Sequence, residues 1–166
     1  MMELTDSQIA EYHYRSYAAV DGLWFLKVEQ AYGFDAALEI DREVWKVLPK
    51  IQARKLRALG NLEGGMGPLR SCLAAKLKLD GFQFTAEDRG EEMFRMVISR
   101  CPWHDLMVKS GREHLSGRVG EAICRTEYSV WASEFGDDIR FGLPERICDG
   151  SRSCILQFSQ VKSSLP

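Results

Sequence analysis

The sequence lacks any run of about eighteen uncharged apolar residues, which excludes a membrane-spanning helix of ordinary composition. It has no excess of positive charge either. Its 22 basic and 24 acidic residues leave a formal net charge of −2, so no broad positive field gathers phosphates and nucleic-acid binding would need a local patch. The densest basic cluster is Lys50, Arg54, Lys55 and Arg57, and a solvated helix face accounts for it. The opening Met1-Met2-Glu3-Leu4-Thr5-Asp6 has no basic stretch leading into an apolar one, so the expectation is a chain without a secretion signal, resident in the cytoplasm. Internal repeats and low-complexity segments are absent, which leaves solenoids and linkers out.

What remains is 166 residues with 45% hydrophobic content, enough for one domain with a real core. Thr5-Asp6-Ser7 is a helix start. From about Ser7 to Tyr32 there is no proline and only one internal glycine, Gly22, so a long first helix is expected, stopped by Gly33. A second helix is expected from about Phe34 to Leu59, with Ala37, Ile40, Val44, Val47 and Ile51 as its buried stripe and a kink at Pro49. Asn61 to Pro68 reads as a loop, and roughly Leu69 to Leu79 as a third helix.

The period then changes. Phe94, Met96 and Ile98 alternate with more polar neighbours as in a half-buried strand that stops at Cys101-Pro102. A helix from about Arg118 to Phe135 follows, then strands at Ile139 to Phe141 and Cys154 to Val161. The fold class is α+β: long N-terminal helices packed on a small antiparallel sheet, with a cysteine-rich metal loop near the C-terminus. The chain reads as a single domain over 1–166, helical through 67 and mixed from 68.

Five cysteines is an odd count. In a reducing compartment, clustered thiols bind metal or do chemistry more often than they form disulfides. Cys148 and Cys154 flank a loop of glycine and small polar residues that lets the backbone turn back, so both sulfurs can face one point. Structural zinc takes four ligands. Cys124 can supply a third, and Glu145, three residues before Cys148, a carboxylate oxygen. Three independently buried thiols are the plain alternative, because cysteine is among the most often buried residues.

The segment from Glu145 to Phe158 resembles the end of the 4-vinyl reductase domain, a small-molecule-binding family that includes the sensor modules of phenol-responsive bacterial regulators. The likeness consists of a glutamate, a cysteine three positions on, a glycine-containing loop, a second cysteine and a strand ending in phenylalanine. The loop between the last two cysteines is slightly shorter than in that family. The resemblance implies a zinc ion on Glu145, Cys148, Cys154 and Cys124, a small and partly apolar organic ligand, and a homodimer formed through long N-terminal helices. Ala18 to Phe25 and Cys101-Pro102-Trp103-His104 are similar to bacterial and archaeal proteins related to aminothiazoline-carboxylate hydrolases, which implies a hydrolase.

A catalytic reading rests on the place of Cys101 and His104, where a strand gives way to a proline-containing turn. Cys101 would be the nucleophile and His104, three residues on, the partner that lowers its pKa; a buried strand-end cysteine beside a surface histidine is the alternative. Both residues could instead be metal ligands. Asp21 lies in the most apolar stretch of the first helix, where an ionised carboxylate requires a partner or a pocket, as an activating base or a substrate-amine anchor, with a helix-to-helix hydrogen bond as the alternative. Trp24, Trp103, Tyr128 and Trp131 are candidate walls of a ligand pocket, with simple core packing as their alternative; Trp45 belongs with them as a core candidate. Cys72 has no companion and reads as packing. An iron-sulfur cluster on Cys101, Cys124, Cys148 and Cys154 is the further cofactor alternative.

Overall fold

The first helix, α1 (Asp6–Tyr32), begins where Thr5 caps it. The Thr5 hydroxyl accepts from the backbone of Gln8 while the Gln8 side chain reaches back to the Thr5 backbone, a reciprocal capping box. Gly33, at a φ of +86°, ends it in a conformation that L side chains avoid. The computed structural model describes residues 2–161. It divides into two compact units, one ending at Asp41 and the other beginning at Arg42.

The expected second helix is two. Helix α2 (Phe34–Trp45) stops, Lys46 and Val47 turn, and α3 (Leu48–Gly60) starts with Pro49 in its first turn. Proline lacks the N–H that a first turn leaves unpaired anyway, so it opens a helix here and does not kink one. The break also rotates the apolar pattern. Of the expected stripe only Ala37 is buried. Ile40, Val44, Val47 and Ile51 are exposed, and Trp45, Pro49 and Ala53, spaced four apart, are the buried ones.

The second unit is α+β. After α3 come α4 (Met66–Leu79), the hairpin β1 (Gln83–Asp88) and β2 (Met93–Arg100), α5 (Pro102–Lys109), α6 (Glu113–Ser133), β3 (Ile139–Gly142), a 3-10 turn at Ile147–Asp149, and β4 (Cys154–Gln160). The four strands form one antiparallel sheet in the order β1-β2-β4-β3. Strand β1 and helix α5 are additions to the sequence reading. The first is an edge strand with little burial; the second again begins on a proline, Pro102, which ends the strand and opens the helix.

One face of the sheet carries the core. Register sets Phe94 opposite Phe158 and Met96 opposite Leu156, and the two phenylalanine rings stack with centroids 5.0 Å apart. Leu69, Cys72, Leu73 and Leu77 of α4 and Tyr128, Trp131 and Ala132 of α6 join the same cluster. Outside it, Arg54 holds Glu134 by two hydrogen bonds, of 2.7 and 2.9 Å, tying α3 to the end of α6.

Candidate functional site

Four elements of the second unit each carry one cysteine to the margin of this core. Cys101 is the N-cap of α5, Cys124 sits on α6, Cys148 in the 3-10 turn, and Cys154 opens β4. Cys101, Cys124 and Cys154 pack against the apolar cluster. Pairing of Cys154 with Ile98 fixes it beside the end of β2, three residues before Cys101. Cys148 is seated on α6 at Gly120. A Cβ there would lie 2.7 Å from the Cys148 sulfur, so only glycine leaves room for it. All five cysteines are free.

The four thiols share one electrostatic neighbourhood. Burial first, then the negative charge of Glu127 and the nearness of Cys101, Cys154 and Cys148, hold the Cys124 thiol well above its ordinary value. Burial pushes the Cys101 thiol up to about 11. The backbone N–H groups of His104 and Trp103 oppose that rise, while Cys154 and Cys148 add to it. Cys148 is raised by burial and by Asp149, against the pull of Arg146. Cys154 is raised by burial too, although the Ile147 N–H donates to its sulfur at 3.2 Å and Arg146 favours its thiolate. Cys72 lies apart in the core, as its lack of a companion in the sequence suggests; burial raises its pKa, against the pull of Arg57.

Backbone N–H groups are directed at two of these sulfurs, and Gly120 leaves room for a third. Among the described residues no group of three or more His, Cys, Asp or Glu side chains is placed so that it could hold a metal ion. Glu145 is exposed on the strand side of the turn, and its backbone carbonyl accepts from the Ile155 N–H. Cys101, in contrast, belongs to the thiol group.

The remaining sequence candidates fall elsewhere. A nucleophile at Cys101 needs a lowered pKa, and burial drives it the other way. His104 directs its backbone N–H to that sulfur, and its Nδ1 is buried without a hydrogen-bond partner among the described residues. Trp131 is fully buried and stacks on Phe135; Tyr128 is buried against Phe141. Both are core residues. Trp103 is half-buried at the start of α5. Asp21 and Trp24 belong to the first unit. Trp24 is 65% exposed, and Asp21 is half-buried, its carboxyl raised by that burial.

Sequence reasoning missed a buried ion cluster next to Cys124. Lys76 of α4, 3% exposed, reaches Glu127 at 2.5 Å and Asp80 at 2.7 Å, and lies over the rings of Tyr128 and Phe82. Burial works against its charge, but the two carboxylates outweigh that and hold its ammonium above the ordinary value. The signal was present: Glu127 interrupts the apolar stripe formed by Ile123 and Trp131, the same anomaly that singled out Asp21.

A family model matches residues 4–145. The chain belongs to DUF6125, a family of unknown function. The DUF6125 match includes Cys101, Cys124 and both members of the Lys76–Glu127 pair and ends three residues before Cys148. No curated protein matches the chain. No helix among the described residues is long and apolar enough to cross a membrane.

Proposed function

We propose that the chain is a metal-organised domain in which Cys101, Cys124, Cys148 and Cys154 hold one zinc ion, with Cys101 in the place first assigned to Glu145. The observation that carries this reading is the arrival of four thiols from four separate elements at one margin of the core, with Cys154 paired beside the end of β2 that leads to Cys101 and Cys148 seated on α6 at Gly120, one turn from Cys124. Four thiolates complete a tetrahedral shell, so the ion serves folding and leaves no open position for activating water. The likeness of Glu145–Phe158 to the 4-vinyl reductase domain supports the same ion, and carries with it the proposal of a small, partly apolar organic ligand. A reducing cytoplasm would keep the thiols available.

Zinc release by four buried thiols takes four protons back onto sulfur, so metal binding and folding are one equilibrium. The test is metal analysis of the purified protein together with thermal melting before and after chelation. One zinc per chain and a large fall in Tm on its removal are expected. Cys148→Ser should abolish uptake, and Cys72→Ser should leave it intact. A metal-free protein with unchanged melting overturns the proposal, and a coloured protein with iron in place of zinc assigns the thiols to an iron-sulfur cluster.

A further inference from the structure

Helix α1 is apolar on two sides. On one, Tyr14, Tyr17, Phe25 and Val28 are half-buried, and Phe25 meets Phe34 of α2 edge-on with ring centroids 5.9 Å apart. The other side is open. Ile9, Tyr12, Val20, Leu23 and Trp24 are between 41% and 66% exposed. At about 3.6 residues per turn these five fall within an arc of about 120° on the helix surface, so they form one stripe.

The five side chains present roughly 600 Å² to water, the upper end of what a soluble monomer exposes as one apolar patch; with the flanking His13, Ser16 and Lys27 the stripe approaches the ~800 Å² that each partner covers in a stable interface. Charge narrows what can cover it. The helix carries Asp6, Glu11, Asp21 and Glu29 against Arg15 and Lys27, so an anionic lipid surface repels it. An identical stripe is complementary. Laid antiparallel across a two-fold axis near Ser16 and Val20, Tyr12 falls beside Leu23 of the second copy and His13 beside its Trp24, while Lys27, the cation of the stripe, comes to its Asp6. Helix dipoles attract in that direction. In a parallel pair they repel, and Lys27 meets its own copy.

We propose that the outward face of α1 is a self-association surface: two copies of this chain pair through Ile9, Tyr12, Val20, Leu23 and Trp24 with their α1 helices antiparallel, Lys27 of each reaching Asp6 of the other. The surface lies in the first unit and owes nothing to the thiols of the second. Its failure and that of the zinc site are therefore separate events.

The experiment is sedimentation equilibrium of the full chain over a wide range of concentration, under reducing conditions so that free thiols cannot join copies. A mass of two chains is expected. Leu23→Glu buries a carboxylate from each copy in the seam and should weaken association at least about a hundredfold. Amide-exchange protection in the second unit should stay unchanged, because Leu23 is exposed in the single chain. Lys27→Glu and Asp6→Lys should each weaken association about three- to tenfold, and the double variant should return to within about threefold of wild type. That rescue reports direction, since only antiparallel helices bring the two positions together. A dimer that Leu23→Glu breaks and the charge exchange does not rescue overturns the antiparallel arrangement, and a dimer indifferent to Leu23→Glu overturns the surface. A monomer at every concentration overturns the inference outright, whether its α1 amides are shielded by another part of its own chain or it floats with anionic vesicles.

Discussion

The longest helix of the molecule, α1, buries none of its 27 residues, while α6, with 21, buries Ser116, Gly120, Ile123, Glu127, Tyr128, Trp131 and Ala132. The two are held by different physics. Helix α1 stands on local terms: the Thr5 capping box, the Glu11–Arg15 pair and the Lys27–Gln30 hydrogen bond, each contributing from a few tenths to about 1 kcal/mol. Helix α6 is fixed by burial, which sets Cys124 and Glu127 in defined positions. Length measures how far a helix reaches, and the buried stripe measures how firmly it is held.

Substitutions can break this contrast, and the greatest effect belongs to α6. Trp131→Ala removes a fully buried ring and should lower stability by about 3–5 kcal/mol in denaturant unfolding. A loss under about 1 kcal/mol would mean that α6 is no better anchored than α1. Next comes Gly120→Ala. Helix propensity alone favours alanine by about 1 kcal/mol, but the new methyl would meet the Cys148 sulfur, so a net loss of about 1–3 kcal/mol is expected. A stabilised variant would show that the turn carrying Cys148 is free to move away.

In α1 the effects shrink and become local. Thr5→Ala should cost about 1 kcal/mol, visible as faster amide exchange in the first turn with the second unit's protection unchanged. Asp21→Asn should act in the opposite direction. The folded carboxyl has a pKa raised by burial above its unfolded value near 3.8, so the acid is neutral in both states below that pH and costs nothing there. As the pH climbs through 3.8 the unfolded form ionises first, and the ionised side chain then penalises folding. The stabilisation from asparagine should therefore be absent at pH 3 and present at pH 7 in melting curves; a pH-independent difference would remove burial as its cause.

Much of the fold was legible because its signals are local. The Thr5 cap, the Gly33 stop, and the alternation of Phe94, Met96 and Ile98 each need only a few neighbouring residues to be read. Two of the differences share one origin. Pro49 and Pro102 read as disruptions in the sequence, yet each begins a helix, which conceals the break after Trp45 and the whole of α5. At the site, thiols advertise themselves by residue type, so Cys101, Cys124, Cys148 and Cys154 were all nominated. That Cys101 lies near the other three thiols while Glu145 is exposed depends on strand register and on the turn, neither of which sequence spacing encodes. The Lys76–Glu127 pair depends on α4 meeting α6, a tertiary fact. Glu127 alone could have been flagged as a carboxylate on an apolar stripe.

The sheet order has one more consequence, in time. Strand β4, the last in the chain among the described residues, lies inside the sheet, flanked by β2 and β3. During synthesis the hairpin β1–β2 leaves the ribosome with Phe94, Met96 and Ile98 made and one long edge unpaired, and it waits through α5, α6 and β3 for its neighbour. The newborn second unit is thus an open ledge until its final strand slots in, and the thiol that begins that strand arrives with the piece that closes it.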